Sequence, residues 1–71
     1  MSHSINANMA GTVIDVLVKP GDTVSEGMDV VCIESMKMQM FIPSEGEGKV
    51  KEIKVSAGDF VNEGDTLIVL E

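Results

Sequence analysis

The sequence predicts an all-β domain built from two copies of one unit. The chain overlays on itself at a shift of 37 residues without a gap. Its apolar residues fall in short β-branched stretches closed by Gly turns, and no window shows helical periodicity. Size says how the copies are arranged. Seventy-one residues lie near the lower limit for an unassisted core, so halves that cannot each bury one must share one. The simplest arrangement is a flattened barrel or sandwich of two small antiparallel sheets about a pseudo-two-fold axis.

Each element follows in order. "GTVIDVLVKPGDTVSEGMDVVCIE" (11–34) aligns with "GKVKEIKVSAGDFVNEGDTLIVLE" (48–71), and the heptad G-D-x-V-x-E-G occurs in both. Extending the register backwards pairs Ile5 with Ile42. Val13, Val16 and Val18, like Val50, Ile53 and Val55, mark a strand in each half. Lys19-Pro20-Gly21-Asp22 then suits a tight turn, with Pro fixing φ at its second position and Gly supplying positive φ at its third. The second half keeps Gly58 but has Ala57 for Pro. A very short strand around Val24 or Val61 follows, then a second Gly turn, then an apolar strand at Val30–Ile33 or Leu67–Leu70. One domain, 1–71, is expected, with repeat halves at about 4–34 and 41–71 and a hairpin at 34–40 joining them.

Composition narrows the function classes. A net charge of −7 and a pI near 4.4 argue against nucleic acid or an anionic membrane as partners. The apolar runs are strand-length, so no membrane span is expected, and "MSHSINANMAG" has neither the basic nor the apolar region of a secretory signal. One cysteine allows no internal disulfide, and no Cys/His cluster has zinc spacing. Cys32 reads as core packing in a reducing compartment, and a cytoplasmic location is expected. His3 reads as part of a frayed polar tail.

The midpoint breaks the pattern. From Val30 to Ile42 there is no Gly, Pro or Asn, yet one strand of that length would be about twice the usual 5–6 residues. The chain must reverse within 34–40, with its tip at Met36-Lys37. Two-residue hairpin turns favour Asn-Gly or Asp-Gly because both central residues need positive φ. Met and Lys there cost roughly 1–2 kcal/mol per left-handed residue. A looser, unstrained turn is the plain alternative. A local rule broken in an otherwise consistent sequence points to a functional site. Under two-fold symmetry Lys37 also falls at the pole opposite both termini. Lys19, Lys49, Lys51 and Lys54 read as ordinary solubilising charges.

With these residues in place the sequence becomes recognisable. E-S-M-K-M (Glu34–Met38) resembles the attachment signature of biotinyl domains, and "MAGTV" (Met9–Val13), both G-D-x-V-x-E-G segments and the closing Leu67–Glu71 extend the likeness over the whole chain. The resemblance implies a flattened β-barrel of two four-stranded antiparallel sheets with internal two-fold symmetry. It implies that Lys37 is acylated by a biotin protein ligase, with Glu34, Ser35, Met36 and Met38 as the flanking motif. The chain would then be a carrier rather than an enzyme, working between biotin carboxylase and carboxyltransferase components. The lipoyl branch of the family typically has Asp-Lys-Ala around its lysine; this sequence departs from that, so biotin is favoured and lipoate is the alternative cargo. Val18–Val24 passes directly through K-P-G-D, without the thumb insertion of one bacterial acetyl-CoA carboxylase carrier class, which weakens an assignment to that class. A reading of another kind is a Cu(I) module using the thioethers of Met36, Met38 and Met40 with Cys32. The expected turn splits that row, and core packing is the commoner use of methionine.

Overall fold

A computed structural model describes residues 3–71; Met1 and Ser2, the start of the expected 1–71 domain, lie outside the described residues. The elements are β1 (His3–Asn6), β2 (Gly11–Val16), β3 (Thr23–Val24), β4 (Asp29–Ser35), β5 (Met38–Pro43), β6 (Gly48–Ile53), β7 (Phe60–Val61) and β8 (Thr66–Leu70). They form two four-stranded antiparallel sheets, ordered β1-β8-β6-β3 and β5-β4-β2-β7. Among the described residues no helix is long and apolar enough to cross a membrane.

The duplication extends to hydrogen-bond register. Ile5 faces Ile68 as Ile42 faces Val31, and Val13 faces Ile33 as Val50 faces Leu70. Even the irregularities repeat, between Val13 and Asp15 in β2 and between Val50 and Glu52 in β6. The halves are interlocked rather than merely stacked. The first-half turn Lys19–Asp22 bonds to the second-half Val50 (Gly21 N to Val50 O 2.9 Å, Val50 N to Asp22 O 2.7 Å), and the turn at 56–59 holds Val13 in the same way. Gly21 has φ 96°, and the Asp22 N–H donates to the Lys19 carbonyl at 3.0 Å, as expected of a Pro-Gly turn.

The core lies between the sheets. Val13, Val31, Ile33 and Ile42 from one sheet meet Ile5, Val50, Ile68 and Leu70 from the other, all essentially without solvent exposure. One expectation needs correction and one is refined. His3 is exposed but opens β1 opposite Leu70, so it is part of the ladder and not of a frayed tail. Cys32 is buried yet stands apart from the core cluster. Its neighbours Val31 and Ile33 face the core, so strand alternation turns Cys32 to the outer face, level with Phe41 and Asp15.

The ladders also fix the poles of the molecule, which measures 34 × 19 × 18 Å. β2 begins beside the β4–β5 hairpin, where Thr12 faces Glu34. The same run of chain ends at Gly21, bonded to Val50, which faces Leu70, which in turn faces His3. The hairpin and the two described chain ends therefore occupy opposite poles.

Candidate attachment site

β4 and β5 form a hairpin whose last pairs are Ile33–Met40, Glu34–Gln39 and Ser35–Met38. Only Met36 and Lys37 remain to close it, with φ of 53° and 66°. Positive φ at both central residues is the pattern of a type I′ turn, whose twist matches that of the flanking strands. The short closure follows from the ladder: β4 pairs continuously up to Ser35, so the reversal has two residues to work with. Neither is the Gly or Asn that this backbone favours.

The neighbouring strand supports the hairpin almost to its end. Thr12 of β2 faces Glu34, leaving one further pair and the two turn residues to overhang. Gly11 makes this approach possible. A Cβ added there would lie 2.7 Å from the Glu34 carbonyl oxygen, a contact that real side chains do not make. Phe60 and Val61 of β7 pair with Thr12 and Gly11 from the other side, so the base of the hairpin is braced by two strands. The role of Gly11 was not apparent beforehand. The available signal was that Gly recurs at the related positions 11 and 48.

Lys37 is exposed at the tip, beside Met36 at 91 % exposure and Met38 at 63 %. Among the described residues the ion pair present is Lys54–Glu52 at 3.2 Å, which leaves the Lys37 amine without a carboxylate partner. Glu34 is exposed but held in the ladder between Thr12 and Gln39, and the overhanging part is the four residues 35–38, with Ser35 half-buried. Among the described residues no cavity opens beside it. The Lys37 amine is thus open to approach from solvent. The segment does not gather catalytic groups of its own, since His3 belongs to the far pole.

The four sulfur atoms of the copper reading are not brought together. Met40 faces the core and packs against it, whereas Cys32, one ladder step away, is turned to the opposite face. Among the described residues no group of three or more His, Cys, Asp or Glu side chains is placed to hold a metal.

Comparison with known proteins covers nearly the whole chain. A family model described as "Biotin-requiring enzyme" matches residues 3–70. The pig mitochondrial propionyl-CoA carboxylase alpha chain is 47 % identical over 70 residues, covering 99 % of this chain and 10 % of that protein. The Biotin/lipoyl attachment protein of Bacillus subtilis is 46 % identical over 67 residues, covering 94 % of this chain and 92 % of that one. Among solved structures, the urea carboxylase of Kluyveromyces lactis matches with a TM-score of 0.92 at 30 % identity, over 100 % of this chain and 6 % of that chain. The lipoyl domain of the Azotobacter vinelandii 2-oxoglutarate dehydrogenase complex matches with a TM-score of 0.73 at 30 % identity, over 96 % of both chains. This chain thus spans about a tenth of several carboxylase relatives and nearly all of a free-standing one. It belongs to the biotin/lipoyl attachment-domain family, as a carrier domain.

Proposed function

We propose that this chain is a biotin carrier, acylated on Lys37 by a biotin protein ligase. The observation that carries the reading is the E-S-M-K-M segment, with its lysine on an exposed two-residue turn held at positive φ. Free lysine is protonated near neutral pH, and among the described residues no imidazole lies beside Lys37, so the ligase supplies the base. The ε-amine then displaces AMP from a biotinyl-adenylate, leaving a neutral amide. Glu34, Ser35, Met36 and Met38 present the lysine to that ligase. Bound biotin carries a carboxyl group; the chain's part is to hold the arm clear of the barrel and deliver it. Tethering makes the second encounter effectively intramolecular, at local concentrations on the order of mM.

The partners proposed are a biotin carboxylase and a carboxyltransferase, in keeping with the carboxylases among its relatives. A reducing compartment such as the cytoplasm suits the free thiol of Cys32. Lipoate on the same lysine is the second reading, favoured by the lipoyl-domain likeness and by the double name of the Bacillus relative. Intact-mass measurement after co-expression with a biotin ligase tests both. The expected result is one biotinyl increment on the wild type and none on Lys37→Arg. An increment that survives Lys37→Arg, or a lipoyl increment in cells supplied with both acids, overturns the biotin reading.

A further inference from the structure

The duplication supplies an internal reference for the molecular surface. Two sheets share one backbone pattern and register, so a difference between their outer faces is not demanded by folding. On the β5-β4-β2-β7 sheet, Phe41, Phe60 and Ile14 are 53 %, 65 % and 37 % exposed, and Leu17, the residue after β2, is 43 % exposed. Their counterparts in the other half are Ser4, Thr23, Lys51 and Lys54. The same strands therefore fold with hydroxyls and ammonium groups where this sheet exposes two aromatic rings and two aliphatic side chains.

Register gathers Phe41, Phe60 and Ile14 on one face. Phe41 is level with Cys32 and Asp15, and Phe60 with Thr12 and Glu34. β5 and β7 are the two edges of the sheet, so the rings flank it, and β2 brings Ile14 between them at its bulge. Charge is divided as unevenly as apolar surface. The strands of this sheet carry Asp15, Asp29 and Glu34, all exposed, and no Lys or Arg. Those of the other sheet carry Lys49 and Lys51 with Glu52.

We propose that the outer face of the β5-β4-β2-β7 sheet docks a protein partner presenting apolar side chains ringed by Lys or Arg. Charge selects this occupant. A two-fold contact with a second copy would bring the carboxylates of Asp15, Asp29 and Glu34 toward their equivalents, and an anionic membrane would repel them. The face runs from the Phe60–Thr12–Glu34 row, one ladder step from Ser35–Met38, to the Phe41 row, three steps or about 10 Å along the strands from it, so Met36 and Lys37 project beyond the docked surface. The face serves whichever acid Lys37 carries, so the inference goes beyond the choice of cargo.

The test is an amide NMR titration of the 15N-labelled, unacylated protein with a synthetic amphipathic peptide of leucine and lysine. The same peptide with every lysine replaced by glutamate is the control. Saturable shifts are expected at Thr12, Asp15, Cys32 and Phe41, and none at Ser4, Lys51 and Val69. Raising salt from about 0.05 M to about 0.5 M is expected to weaken binding about tenfold. The variant I14K/F41S/F60T, which installs the residues of the opposite sheet, is expected to lose about tenfold in affinity while melting within a few degrees of wild type. F41S and F60T alone serve should the triple variant not fold. Binding of neither peptide, equal binding of the glutamate peptide, or equal shifts on both sheets overturns the proposal. So does sedimentation showing a wild-type dimer that the variants abolish, or wild-type binding to phosphatidylcholine vesicles.

Discussion

Replacing Met36 with Asn and Lys37 with Gly gives the tip the residues its backbone favours. Met36 and Lys37 sit at φ 53° and 66°, in the left-handed region, at roughly 1–2 kcal/mol for each non-glycine residue. Gly at 37 relieves that strain but returns about 0.4–1 kcal/mol through the greater freedom of the unfolded chain. Asn tolerates the left-handed region and relieves part of the strain at 36. The double variant is therefore expected to be more stable by about 1–2 kcal/mol. For a domain of this size each kcal/mol is about 4–8 °C in Tm, so the gain should be about 5–15 °C. The assay is thermal and urea unfolding of the unacylated protein, comparing wild type, M36N, K37G, the double variant and K37A. Alanine keeps a Cβ at positive φ, so K37A should stay within about 0.5 kcal/mol of wild type. A double variant that melts at or below wild type would refute the claim that the tip is strained. With it would fall the argument that folding alone did not choose these two residues.

Three further outcomes are expected from positions where the halves differ in residue or in surroundings. Gly11→Ala should destabilise by about 2 kcal/mol, because its Cβ meets the Glu34 carbonyl oxygen at 2.7 Å and the strands must separate. Gly48→Ala, whose nearest neighbour is the Leu70 Cβ at 3.4 Å, should stay within about 1 kcal/mol; urea unfolding of both variants checks the contrast. In three turns an Asp carboxylate accepts from the first residue's N–H (Lys19 to Asp22 at 3.0 Å, Ser56 to Asp59 at 2.9 Å, Asn62 to Asp65 at 2.8 Å), while the turn at 25–28 has Met28 there, 41 % exposed. Met28→Asp should thus add about 0.5–1.5 kcal/mol in urea unfolding, at about 0.3 M salt to screen Asp29. Ser44, the buried counterpart of Ala7, donates to the Gly46 carbonyl and accepts from the Gly46 N–H at 3.4 Å. Ser44→Ala should cost about 1 kcal/mol and speed hydrogen exchange at Gly46.

The elements read most directly from sequence are those whose signals are local and occur twice. The Lys19–Asp22 turn is announced by Pro20 and Gly21 and repeated at Gly58, and the strands between turns follow from what remains. The Met36-Lys37 tip was legible for the opposite reason: thirteen residues from Val30 to Ile42 lack Gly, Pro and Asn, and a chain this short has to reverse among them. Facing was harder. In Val30–Ile33 all four residues are buried, so the run carries no alternation from which to tell that Cys32 points away from the core. The close approach of Gly11 to Glu34 depends on which strands are neighbours, information that the 22 intervening residues do not contain locally. The unequal outer faces needed both register and duplication, since Phe41 and Ser4 become comparable only once each is seen opposite its strand partner.

The opposition of the poles turns the barrel itself into a mechanical part. A chain that continued from either described end would leave the molecule at the pole farthest from Lys37. Any pivot at that end would swing the lysine on a stiff arm comparable to the 34 Å long axis, before the acyl chain adds its own length. The interlocked turns keep that arm from bending, because each half is clasped to the other's strand at Val13 and Val50. Reach is thereby divided between a rigid crank and a flexible tether. A domain with that division of labour works on its own or embedded in a longer chain without redesign, and its relatives include both.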